Sequence, residues 1–351
     1  MKIIHGTVNI AGIGGHLAAW QRGNGHDARF VVYRRNQYFN NHDEAIFPLE
    51  GGPTWRLALH CVWTLFRNAL RHDVFNFYGG RSFLPWGLDL PLLRLLGRKV
   101  IMTYCGSEVR QCWIEAARNP FWSRVVPELA GTPNVPERDR QKQRMMRWHA
   151  LWCHRILAPR DLFAHVHPYV PARKIVTDIW VHNLSSVGFS EEPPPPDGRS
   201  GKVIMVHAPS APKLKGTAFF REAVEMLKAE GQPIKYVELT GMPHAEVLRT
   251  IARADIVLDQ LLIGGFGSLS VEGMALGRPV ICYLLEDVKR EHYPDCPIAN
   301  ATIENVTDVL RDLVADSARR LRLGREGRAF VSRHLDYETV NRRMLELYRS
   351  I

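Results

Sequence analysis

The stretch Gly264–Cys282, GGFGSLSVEGMALGRPVIC, constrains the fold of this chain more than any other part of it. The run Ile256-Val257-Leu258-Asp259-Gln260-Leu261 before it reads as a buried parallel strand. A glycine-rich turn comes next, then a short helix from about Ser268 to Leu276. Gly277 stops that helix, and Pro279 to Tyr283 starts another strand. Strand, glycine loop, helix and strand in succession belong to a parallel sheet with helices on its faces. Such a junction leaves bare backbone N–H groups and the positive end of a helix dipole where an anion can sit. Glu272 lies in the first turns of the helix. Its carboxylate cannot ligate a phosphate, but it can accept hydrogen bonds from hydroxyls of the same ligand. Phosphate at the loop and a sugar hydroxyl at Glu272 describe a nucleotide-sugar site.

The rest of the chain alternates in the same way. Strand candidates are Lys2–Val8, Arg29–Tyr33, Asp73–Phe77, Lys99–Tyr104 and Arg155–Ala158, then Val203–His207 and Ile234–Thr240. Between them, Gly15–Arg22, Thr54–Arg71, Leu84–Leu96, Arg138–His154, Thr217–Glu230 and Ala245–Arg253 carry helical spacing, and Gly12–Gly15 reads as a glycine loop. Ile303–Ala315, Ser317–Arg333 and Tyr337–Ser350 close the chain as helices. The pattern predicts an α/β fold of two doubly wound domains, and 351 residues suit two of them. Four consecutive prolines, Pro193–Pro196, sit in a linker expected over 186–201. The expected domains are therefore 1–185 and 202–335, with a helix at 336–351 returning to the first.

In the second domain the first strand ends in His207-Ala208-Pro209-Ser210, and Lys213 and Lys215 follow in a loop that enters a helix. Cations are slightly unfavourable at a helix start unless an anion is bound there. Further along, Gly265 and Gly267 permit close backbone approach to a diphosphate, with Ser268 and Leu269 N–H as donors.

VIMVHAPSAPKLKGT followed by ADIVLDQLLIGGFGSLSVEGMALGRPVICYL resembles the donor-binding domain of the retaining GT-B glycosyltransferases of the "glycosyl transferases group 1" family. The likeness covers about 200–335 well. It is looser in the first domain, through NIAGIGGHLA, GNGHDARFVVY and MTYCGSEVR. It implies a GT-B fold, two Rossmann-like domains facing a central cleft. It also implies sugar transfer from a nucleoside-diphosphate sugar to an acceptor hydroxyl (glycan, lipid-linked or small molecule) with retention of configuration, and no metal or cofactor. Lys215 would contact the donor diphosphate, Glu272 the ribose hydroxyls, and Gly14 and Gly15 the donor phosphates. Donor binding would extend over Ser210, Lys213, Gly265, Phe266, Gly267, Ser268 and Leu269. His16, Cys105, Glu108 and Arg110 would lie on the acceptor side, with Lys215, Glu272 and Glu108 as the catalytic set.

Three positions depart from the family. Gly264 stands where the family commonly has Glu, Pro209 where it often has Arg, and Cys105-Gly106-Ser107-Glu108 where it often has His-Gly-x-Asp. Gly264 and Pro209 leave room for a second reading, a catalytically weakened sugar-nucleotide-binding or scaffold protein. A remote third is an NADP oxidoreductase, since Gly12-Ile13-Gly14-Gly15 follows a strand. The third fingerprint glycine would fall at Leu17, however, and the next strand ends in Tyr33-Arg34-Arg35.

The net charge is 46 − 36 = +10, which favours anionic partners, but no nucleic-acid module is present. Six scattered cysteines read as reduced residues of a cytoplasmic protein, and MKIIHGTVNI enters a strand with no signal peptide. His165-x-His167 lacks a third metal ligand. The basic helix Arg138–Arg155, with Trp148 and Trp152 one turn apart, reads as a core helix or as a peripheral contact on the anionic inner face of a membrane.

Overall fold

The structure, a computed structural model, describes residues 1–35, 39, 41–46, 54–130, 135–180, 182, 195–198 and 201–351. Of the linker expected over 186–201, all but 195–198 and 201 lies outside the described residues. The chain forms two compact units: Met1–Ile114 with Gly131–Asn183 and Tyr337–Ile351, and Glu115–Ala130 with Leu184–Asp336.

The strands in chain order are β1 (Lys2–Thr7), β2 (Asp27–Val32), β3 (Glu44–Ala45), β4 (Val74–Tyr78), β5 (Lys99–Thr103), β6 (Arg155–Leu157) and β7 (Ile175–Val176) in the first unit. The second unit has β8 (Val203–His207), β9 (Ile234–Glu238), β10 (Ile256–Leu258), β11 (Val280–Cys282) and β12 (Ala299–Asn300). The helices are α1 (Ile13–Gly23), α2 (Thr54–Ala69), α3 (Leu90–Leu95), α4 (Cys112–Arg118), α5 (Trp122–Val125), α6 (Asp139–Trp152) and α7 (Phe163–Val166). There follow α8 (Pro212–Lys215), α9 (Thr217–Ala229), α10 (His244–Ile251), α11 (Ser268–Ala275), α12 (Val306–Ala315), α13 (Ser317–His334) and α14 (Tyr337–Ser350).

The first sheet has the order β3-β2-β1-β4-β5-β6-β7 and the second β12-β11-β10-β8-β9. Every ladder is parallel. All five residues of β4 are buried, as a central strand covered on both faces requires. The order reverses beside β1 in the first sheet and beside β8 in the second, and in such sheets ligands sit off the strand C-terminal ends at that reversal.

Two expected elements differ. Leu84–Leu96 is not one helix. Trp86 and Gly87 take left-handed φ of 61° and 71°, and the buried Asp89 carboxylate accepts from the Ser82 hydroxyl and the N–H groups of Phe83 and Leu84. These bonds fix the turn before α3, which starts at Leu90. The glycine loop expected at Gly12–Gly15 is shorter, because α1 already begins at Ile13, behind Gly12 at φ 72°. Helix α14 belongs to the first unit: Tyr348 joins its core, and the Tyr337 hydroxyl donates to His16 O at 3.1 Å.

Candidate functional site

The second unit gathers charge at the reversal of its sheet. His207 ends β8 and is fully buried. Its Nδ1–H donates to Leu258 O at 2.8 Å, and its Nε2 accepts from the Thr217 hydroxyl at 2.8 Å. Burial lowers its pKa, so a neutral ring ties β8 to β10 and to the start of α9. The loop expected to hold Lys213 and Lys215 contains a one-turn helix, α8. Pro212 suits its first position, and Gly216 ends it at φ 74°, where a Cβ would meet Leu261 Cβ at 3.2 Å. Ser210 and Lys213 are exposed.

Lys215 turns to Asp259, the residue after β10, with Nζ 2.7 Å from Oδ1. Asp259 is fully buried. Its Oδ2 accepts from Gly267 N at 2.9 Å and from the Ser270 hydroxyl at 2.6 Å. Burial opposes the charge, but the adjacent ammonium and these two donors hold the carboxyl below its usual range. The ammonium therefore stands at the N-terminus of α11, and a Cβ on Gly267 would lie 3.2 Å from it. Gly267 N–H is spent on Asp259. The amides of Ser268, Leu269 and Ser270 belong to the first turn, for which a helix supplies no acceptor of its own.

Glu272, one turn further along α11, is 7 % exposed, and its Oε1 lies 2.8 Å from Nε2 of His244, the first residue of α10. Sequence reasoning missed both Asp259 and His244. A carboxylate ending an apolar strand was the available signal for Asp259, because such a group must find a partner. Nothing in the chain marks His244.

Two glycines of the loop differ in kind. Gly264 has φ 71°, and a Cβ there would stand 2.5 Å from Leu285 Cγ, so this position takes no side chain. Gly265 is buried, its carbonyl accepting from the Gln260 side-chain amide. Phe266, expected on the donor side, is 8 % exposed, its ring 5.0 Å from that of Tyr293 and 6.3 Å from that of Phe330. It anchors the loop.

In the first unit, Asn9 Oδ1 accepts from Gly12 N at 3.1 Å and Asn41 Nδ2 donates to Gly12 O at 2.7 Å, fixing the turn after β1. Gly14 and Gly15 lie in the first turn of α1, not in a loop. A Cβ on them would meet Phe30 Cε2 at 2.5 Å and Asn41 O at 2.2 Å, so close packing demands glycine at both. Leu17, at the third fingerprint position, is core. Beyond β5 the Glu108 carboxylate folds back onto Cys105 N. Burial raises the pKa of both the carboxyl and the Cys105 thiol. Arg110 lies 3.7 Å from Asp161, and His165 Nδ1 accepts from Gln111 N at 3.0 Å. Among the described residues, no group of three or more His, Cys, Asp or Glu could hold a metal ion, and no helix is long and apolar enough to cross a membrane.

No family model matches the chain, and no curated protein matches it. Among solved structures it is similar to sucrose-phosphate synthase from Thermosynechococcus elongatus, with 14% identity and a TM-score of 0.67 over 100% of this chain and 99% of that one. It is similar to Anabaena HepE in complex with UDP-glucose, with 12% identity and a TM-score of 0.66 over 100% of both chains. It is also similar to WaaG, a glycosyltransferase involved in lipopolysaccharide biosynthesis, with 13% identity and a TM-score of 0.63 over 99% of both. At such identities the likeness is one of fold: the chain has the GT-B fold.

Proposed function

We propose that the chain is a glycosyltransferase that moves a sugar from a nucleoside-diphosphate sugar to an acceptor hydroxyl with retention of configuration. The observation that carries this reading is the Lys215 ammonium at the N-terminus of α11, with the Glu272 carboxylate one turn away on the same helix. The diphosphate meets the ammonium and the first-turn amides, and the ribose hydroxyls donate to Glu272. As the sugar–phosphate bond breaks, charge grows on the leaving diphosphate. Donors already aimed at that charge lower the barrier without reorganising. Asp259 keeps Lys215 in place beforehand. Glu108, Cys105, Arg110 and His16 belong to the acceptor side in this reading.

One observation favours a second reading, a nucleotide-sugar-binding protein with weakened catalysis. The packing of Leu285 against Gly264 denies this loop the carboxylate that the resembled family commonly places there. Calorimetry against UDP-, GDP- and ADP-sugars, paired with an assay for donor breakdown and transfer, tests both. Binding with turnover supports transfer, and binding alone supports the second reading. In Glu272→Ala, donor affinity or rate should fall more than about tenfold, since a hydrogen-bonded carboxylate is lost from the ligand. Absence of binding by any of these donors, or an unchanged Glu272→Ala protein, would sink the assignment.

A further inference from the structure

Helix α2 has two apolar faces. Cys61, Leu65 and Ala69 pack into the first unit's core. On the other side Trp55, Leu59, Val62, Trp63, Phe66 and Leu70 face outward, Trp63 at 65 % and Leu70 at 70 % exposure. At the pitch of an α-helix these six fall within one arc of about 100°. Single surface hydrophobes are ordinary, but a continuous stripe with two tryptophans and a phenylalanine marks an interaction surface. On α3, Leu95, and Leu96 just after it, are exposed as well.

Charge selects the partner. From Thr54 to His72 the chain holds no acidic residue. Arg56, His60 and Arg67 project from the sector beside the apolar stripe, within the next arc of about 40°, and Arg71 follows in the turn after the helix. Glu44 pairs with Arg67. Arg56, His60 and Arg71 are exposed, and the Arg56 guanidinium lies over the Trp55 ring, 5.2 Å from its centroid. Rings and aliphatic groups edged along one side by cations match the boundary of an anionic bilayer: the apolar stripe enters the headgroup layer, and the guanidinium groups reach back to the phosphates. The tryptophans of α6 cannot serve this purpose. Trp148 donates to Gly87 O at 2.9 Å, and it and Trp152 pack on the core.

We propose that α2 is a membrane-docking helix that lies on a bilayer carrying anionic headgroups. The proposal stands independently of the donor reading. The full chain, sedimented with vesicles of phosphatidylcholine alone or with one third phosphatidylglycerol, should partition onto the anionic vesicles and be released by salt. Trp63→Ser/Phe66→Ser should lower partitioning more than about tenfold, as expected for two large side chains leaving the interface. Arg56→Gln/Arg71→Gln should remove the preference for anionic vesicles. Met226→Ser, an exposed hydrophobe of the second unit, should bind as the parent does. Unchanged circular dichroism establishes that each variant is folded. If the serine pair does not fold, Leu59→Ser replaces it, with a loss of about threefold or more expected. A parent protein that stays in the supernatant with both vesicles overturns the proposal, as does a serine variant that sediments like the parent. A self-association abolished by the same serines, without vesicle binding, gives the face to a second copy and likewise overturns it.

Discussion

The two units bury polar groups around their central strands in different ways. Beside β1, β4 and β5 the first holds neutral networks, and its buried ion pair, Lys142 with Asp139, lies apart from them on α6. His5 Nε2–H donates to Gln21 Oε1 at 2.8 Å, while its Nδ1 accepts from the Tyr78 hydroxyl at 2.7 Å. Asn76 donates to both Tyr78 and Tyr348 at 3.1 Å, and Tyr104 donates to His149 Nδ1 at 2.8 Å. The second unit buries charge. Arg278 donates to Leu276 O and Ala254 O. Arg320 donates to Pro196 O, and to Leu313 O and Val314 O near the C-terminal end of α12, where a cation suits the helix dipole. Both arginines brace the scaffold against carbonyls. Lys215 and Asp259 differ: an ion pair stands at the N-terminus of a helix, and its lysine keeps 18% of its side chain exposed. A neutral network can be satisfied anywhere in a core. A buried pair costs desolvation that hydrophobic residues would avoid, so its place beside a helix N-terminus calls for a functional account.

The largest expected effect comes from cutting that pair. Lys215→Met leaves the Asp259 carboxylate buried without its cation and should cost about 3–5 kcal/mol, read as a lowered urea midpoint. Asp259→Asn should cost less, because the lysine can reach water and the amide oxygen still accepts from Gly267 N and Ser270. The double variant should match Asp259→Asn alone, since removing the lysine then strands no charge. Additive single effects would break the contrast between the units by showing the pair to be uncoupled.

The frame was legible because its signals are local. The apolar runs of β5 and β10, Gly277 at a helix stop and the span of α14 follow from periodicity and punctuation. The candidate site was legible only in part. Lys215 and Glu272 stand out by position, but their partners Asp259 and His244 lie 44 and 28 residues away in sequence, and only the sheet order brings them near. Gly264 shows a further limit. In sequence it is a missing carboxylate, whereas in the fold it is a left-handed residue pressed on Leu285. Gly264→Glu should therefore destabilise rather than restore a function, by about 2–4 kcal/mol for the left-handed backbone and the clash together. Retained stability with raised turnover would show instead that the loop can open to admit the side chain.

Protonation separates the buried histidines from the Lys215–Asp259 pair by pH window. Burial lowers the His5 pKa from 6.5 to about 4 and that of His149 to about 3. Between these values and 6.5 the unfolded chain binds protons that the folded chain refuses. Stability present at neutral pH is thus lost as pH falls from about 6.5 toward 4, and for His5 the loss approaches roughly 3 kcal/mol. Asp259 has the opposite origin. Its pKa is depressed in the fold, so its contribution persists until pH drops below the ordinary carboxylate range. His5→Gln should flatten the dependence of the unfolding midpoint on pH between 7 and 4.5. An unchanged slope would mean that the first unit's network does not govern this window.

The smallest effect is expected where the geometry looks best. Arg311 forks onto Glu230, with Nε and Nη2 donating at 2.9 and 2.6 Å, and also pairs with Asp308. By bond count it outranks Lys215. All three side chains are at least 36% exposed, so water already satisfies them and salt screens what remains. Arg311→Ala should leave the unfolding midpoint unchanged within error at moderate salt. Lys215→Met, with fewer bonds broken, should still move it the most. A loss at Arg311 comparable to that at Lys215 would show that bond geometry, rather than burial, sets the worth of an ion pair in this chain, and it would remove the physical basis for singling out Lys215 and Asp259.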